Sequence, residues 1–139
     1  MGKFDLSQYE EVRVRLPKFF EKYPQGRVIT DIIAQFNDLE TVVIKATLFE
    51  DGDPGKLPLA TGIAYEKDGE GYINKTSHVE NGETSAIGRA LANLGLHGSK
   101  RPSKEEMQKV ERMSKEQAIE NVKDAFPGAK VIKDDDDLL

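Results

Sequence analysis

Arg89 stands between Gly88 and Ala90 in the segment ENGETSAIGRALANLG. A guanidinium held among such small neighbours suits a phosphate. Covalent chemistry has less to stand on. No GxSxG nucleophile elbow, GxxxxGK(S/T) phosphate loop or HExxH pair occurs in the 139 residues. There is no cysteine, so no disulfide framework or thiolate metal site can form. His78 and His97 are the only imidazoles and lie 19 positions apart in segments of different character, so no zinc site is expected. Asp31, Glu40 and Lys45 fall on neighbouring predicted strands, as a metal nuclease would need, but lone charges on half-exposed strands are ordinarily solvated. The chain is expected not to be an enzyme and to need no cofactor.

Binding therefore sets the remaining candidates. Arg27 at a strand start, Lys45 on the second strand, Lys75 before the main helix, and Lys100 and Arg101 after it could join Arg89 on a nucleic-acid backbone. Lys45 reads equally well as a solvated strand charge. Tyr72, among Gly, Asn and Lys, is expected to be exposed and able to stack on a base, whereas Tyr65 is expected to pack in the core. Gly82, Glu83 and Gly88 read two ways: as functional residues, or as close helix–sheet packing with Glu83 partnered at a subunit contact. The net charge of −5 counts against a simple nucleic-acid binder. Its distribution is uneven, with residues 1–98 at −4, residues 99–133 at +3, and four aspartates in the last six positions.

The elements that must position these side chains follow from periodicity. Tyr9, Val12, Leu16, Phe19 or Phe20, and Tyr23 recur at helical intervals, with Pro17 predicting a kink or two short helices. The period then becomes two in RVITDIIAQF, TVVIKATLF and LATGIAYE, which predicts an antiparallel three-strand meander. Ala60, Gly62 and Ala64 share one face of the third strand and leave room for a helix. That helix follows, with Val79, Ala86, Ile87, Ala90, Leu91 and Leu94 as its stripe and Gly95 as its stop. Ser7/Glu10, Ser77/Glu80, Ser103/Glu106 and Ser114/Gln117 spell helix-start capping pairs. The fold class is α+β: an N-terminal helix, a three-stranded antiparallel meander packed by the following helix, a helical C-terminal extension and a disordered acidic tail. The expected division is an α+β DNA-binding domain at 1–98, a helical extension at 99–126 and the tail at 127–139. No signal peptide or membrane span is spelled, so the cytoplasm is the expected location and no membrane partner is expected.

The stretch from Leu59 to Gly98, with Thr84, Arg89, Ala90, Leu91 and Gly95 in a T-x-x-x-x-R-A-L-x-x-x-G pattern, resembles phage single-strand annealing proteins of the essential-recombination-function type. It is similar, more remotely, to the annealing domain of the eukaryotic strand-annealing mediators. The strand order extends the likeness weakly back to Gly26. The resemblance implies a single-stranded DNA binder that assembles into a homo-oligomer, with Arg89 lining the DNA groove. The flanking basic positions of that pattern hold Gly88 and Ala92 here.

The chain closes on Asp134, Asp135, Asp136, Asp137, Leu138 and Leu139. This ending resembles the acidic tip with which bacterial single-strand-binding proteins dock on replication and repair enzymes, and it implies partner proteins of host or phage. A solubilising tail is the alternative. The leading expectation is a phage-type single-stranded DNA-binding protein that promotes annealing in recombination. A replication-type single-strand-binding protein follows, then a protein-interaction module without a DNA role, and a small hydrolase comes last.

Overall fold

Alternation of period two sends successive side chains to opposite faces, and three strands form where it occurs: β1 (Arg27–Phe36), β2 (Thr41–Phe49) and β3 (Ala60–Lys67). They pair antiparallel in the order β1-β2-β3, the expected meander. The structure, a computed structural model, describes residues 5–68 and 74–125. Around the sheet lie α1 (Val12–Lys22), α2 (Asn74–Asn93) and α3 (Lys104–Ala125). This is the α+β arrangement expected from the sequence. The segment 127–139, including the proposed partner-binding tip, lies outside the described residues.

One face of the sheet is shaped for a helix. Val42, Ile44, Ala46 and Leu48 of β2 are buried there, beside Ala60, Gly62 and Ala64 of β3. Helix α2 fills the space with Ala86, Ala90 and Leu91, none of which touches solvent. The approach is close: a Cβ on Gly62 would lie 2.3 Å from the Ala90 nitrogen. Similarly, a Cβ on Gly82 would press on Ile44 Cδ1 at 3.0 Å, and one on Gly88 would meet Val12 Cγ2 at 2.9 Å. Both glycines of α2 therefore serve packing. Glu83 accepts a hydrogen bond from the Thr30 hydroxyl at 2.6 Å, so its partner lies within the same chain.

The helix ends are partly as expected. Gly95, at a φ of +94°, closes α2: its N–H bonds the Ala92 carbonyl and that of Leu96 bonds the Leu91 carbonyl, both at 2.9 Å. This is the Schellman pattern, with Leu96 packed on the core. Ser103 and Glu106 form a full capping box at the start of α3, with Glu106 accepting from the Ser103 N–H at 2.9 Å and Ser103 Oγ accepting in return at 3.2 Å. Ser77 interrupts helical geometry (φ −145°, ψ 29°), but one turn precedes it in α2.

Three expectations are corrected. Ser7 lies in a 3-10 turn (Leu6–Gln8) capped by Asp5, because Glu10 is drawn away to Arg15 and Lys18. Pro17 sits inside an unbroken 11-residue α1, which burial of Val12 and Phe19 on either side holds together. Ser114 opens no second helix; residues 104–125 contain neither glycine nor proline and run as one. No described helix is long and apolar enough to cross a membrane.

Candidate nucleic-acid interface

The cations singled out in the sequence do not converge. Arg27 and Lys45 project from the sheet face opposite α2, as their register with Phe49 and Asp31 requires. The Arg27 guanidinium lies against Gly52 of the β2–β3 loop, where an added Cβ would sit 3.0 Å from it. Lys75 is in the first turn of α2 and Arg89 lies fourteen positions further along, beyond the break in helical geometry at Ser77. The side chain of Lys75 and all of Tyr72 lie outside the described residues. Arg89 and Arg101 do meet, around a cavity of about 100 Å³ that Glu106 and Asn93 also line. Both are occupied there. Arg89 pairs with Glu106 at 3.2 Å, and Arg101 bonds the Ala92 carbonyl at 2.9 Å and the Asn93 side chain, closing the end of α2. Lys100 is exposed beside them.

Tyr65 departs from its expected place in the core. It is 42% exposed on the outer face, beneath the Lys109 ammonium at 3.5 Å from the ring centroid. Strand parity explains this: once Ala60, Gly62 and Ala64 face the helix, Tyr65 must face away. The same parity turns Glu66 inward, where it is buried and meets Arg112 of α3 at 3.5 Å. Arg15 is buried completely, a position sequence reasoning missed. Its guanidinium donates to the carbonyls of Gly88, Arg101 and Pro102 at 3.1 Å each, to that of Lys100 at 3.4 Å, and to Glu10 at 3.3 Å. It thus ties α1 to α2 and to the connection that leads into α3.

A different pair of elements meets at the far end of α2. The β1–β2 turn carries three consecutive residues in the left-handed region, Asn37, Asp38 and Leu39, at φ of 53°, 57° and 71°. For a leucine this is an unfavourable backbone, and such strain concentrates at functional turns. Gln35 and Glu40 side chains brace it, accepting from the Leu39 N–H at 3.0 Å and from Asn37 at 3.1 Å. The Leu39 carbonyl lies 2.7 Å from His78 Nε2, so the turn is fastened to the start of α2. The first turn of α2 holds no acidic residue. Turn and helix start thus lie together at one end of the module.

An α-β-β-β-α unit, with the β1–β2 turn fastened to the start of α2 and a further helix appended, defines a small α+β module. Residues 16–94 match the family described as Slr1353 N-terminal dsRNA-binding domain-like, and the chain belongs to that family. No curated protein and no solved structure matches the chain. The match covers most of α1, the whole sheet and α2, and it leaves α3 outside.

This membership overturns the resemblance to phage annealing proteins and to single-strand-binding proteins, and with it the expected role in single-stranded DNA recombination or replication. The residues that carried the resemblance have packing duties instead: Ala90 and Leu91 are core, and Gly95 is the helix stop. The family is one of non-catalytic binding modules. Among the described residues no group of three or more His, Asp or Glu is placed to hold a metal ion.

Proposed function

We propose that this chain binds double-stranded RNA, by backbone and shape rather than by base sequence. The observation that carries the reading is the coincidence of the family match with most of α1 and the whole of β1, β2, β3 and α2. Duplex RNA offers such a module its 2′-hydroxyls and phosphates across the wide minor groove, over roughly 16 base pairs. The β1–β2 turn, fastened to the start of α2 through His78, would supply the contact, with Lys75 in the first turn of that helix as the cation for a phosphate. Asp38 and Glu40 on the same turn oppose that attraction, so the affinity is modest, and the phosphate contacts make it fall with salt.

The test is a fluorescence-anisotropy titration against a duplex RNA of about 20 base pairs, long enough for one module, the same duplex as DNA, and each single strand, at two salt concentrations. The expected result is preference for duplex RNA. Lys75→Ala should weaken binding and reduce the salt slope by about one phosphate contact. Equal affinity for all four ligands, or no binding at low salt, overturns the proposal.

A further inference from the structure

The two edges of the sheet are treated differently. At β3, helix α3 lies alongside, with Lys109 donating to the Tyr65 carbonyl and Arg112 reaching Glu66. At β1, no described strand pairs with the outer edge, and the strand is ten residues long. RVITDIIAQF holds no lysine and no proline to blunt that edge, and its one bulge lies at Ile33, beyond the first half of the strand. Its apolar side chains stay open, with Ile29 at 41%, Ile33 at 49% and Phe36 at 55% exposure. Ile63 and Tyr65 continue that apolar surface across the outer face of the sheet.

We propose that β1 is a homodimer edge, pairing antiparallel with β1 of a second copy about a two-fold axis at Ile29. The charges on the strand select this register. Arg27, Ile29 and Asp31 share the outer face, since they stand opposite Phe49, Thr47 and Lys45 of β2. Centring the axis on Ile29 places Arg27 opposite Asp31 of the second copy, and Asp31 opposite its Arg27, with the two Ile29 side chains between. Asp31 then lies between Lys45 of its own chain and the incoming Arg27. Moving the centre by two residues in either direction sets Arg27 against Arg27 or Asp31 against Asp31, and like charges directly opposite are destabilising. Moving it by one leaves both charges facing other side chains.

The bulge supports the same register. Pairing with β2 slips between Ile32 and Ala34, which leaves Ile33 as an extra residue. A regular ladder about Ile29 therefore runs over residues 27–31 and stops short of the bend in the strand. The Arg27 guanidinium, which rests against Gly52 in the single chain, swings to meet the second copy. The product is a continuous six-stranded sheet whose outer apolar face spans both copies.

The experiment is sedimentation velocity on the full chain from about 1 to about 200 µM, the range in which so short an edge associates. The expected mass rises toward twice 15.5 kDa. Arg27→Asp alone and Asp31→Arg alone should each raise the dissociation constant about tenfold or more, because like charges then face each other. The double exchange Arg27→Asp/Asp31→Arg should restore association. Circular dichroism checks that each variant is folded, and for wild type, amide exchange at residues 27–31 should slow as concentration rises. A wild-type chain that stays at 15.5 kDa overturns the proposal. So does association unaffected by the single variants, or a double exchange that behaves like them.

Discussion

The Arg15 guanidinium sits where a hydrophobic side chain would be expected and is satisfied by four backbone carbonyls and Glu10. Replacing it with methionine keeps the apolar stem but orphans those buried oxygens. Breaking a buried charged network of this kind costs about 3–5 kcal/mol. Arg15→Met should therefore lower the urea midpoint sharply, while Arg13→Met, at a side chain 78% exposed, should change it little. Half of this was legible. Val12, Arg15 and Phe19 stand at i, i+3 and i+7, so an arginine on the buried stripe could be read from the spacing. Its partners could not, because the carbonyls it binds are 73 to 87 positions away. At the β1–β2 turn the residue scale runs the other way. Leu39 is held at a φ of 71° although its side chain is 44% exposed, so Leu39→Gly should gain about 1 kcal/mol in a thermal melt.

Between elements, two glycines separate two physical effects. Gly95 has nothing within 4 Å of an added Cβ, so Gly95→Ala tests only the left-handed backbone and should cost about 1 kcal/mol. Gly62 meets the backbone of α2 at 2.3 Å, so Gly62→Ala must push helix from sheet and should cost about 2 kcal/mol or more. Chemical denaturation of both variants checks the ranking; equal losses would mean the sheet yields at Gly62. Sequence reasoning reached the strands, their small-residue face and the Gly95 stop because each rests on a local rule of parity or backbone sterics. It placed Ser7 and Ser114 at helix starts because the same four-residue spelling occurs where a neighbour competes for the glutamate or where the helix simply continues. Tyr65 and Glu66 were readable from β3 parity once Ala60, Gly62 and Ala64 were given to the helix; the expectation of Tyr65 in the core set its aromatic character above that parity.

Over the whole molecule, the cations singled out in the sequence are distributed over several faces and form no single basic groove among the described residues. The function signal was the least legible part. A short pattern ending in Gly95 carried the sequence resemblance, and packing demands alone can produce it. The appended α3 is integrated rather than tethered: Lys104 N–H bonds the Glu10 carbonyl at 2.9 Å, and Glu105 accepts from the Val12 N–H at 3.2 Å. A chain ending at residue 98 would lose these contacts and three of the carbonyls around Arg15. It is expected to unfold at lower denaturant than the full chain, as far-UV circular dichroism would show. The same guanidinium also bears on the order of folding. Joining residue 15 to residues 100–102 closes a loop of more than 80 residues, an entropic cost that is repaid only after the sheet and α2 have assembled. Arg15 should accordingly act late, as a latch on the unfolding side of the barrier. In a stopped-flow chevron, Arg15→Met should speed unfolding while leaving refolding near its wild-type rate.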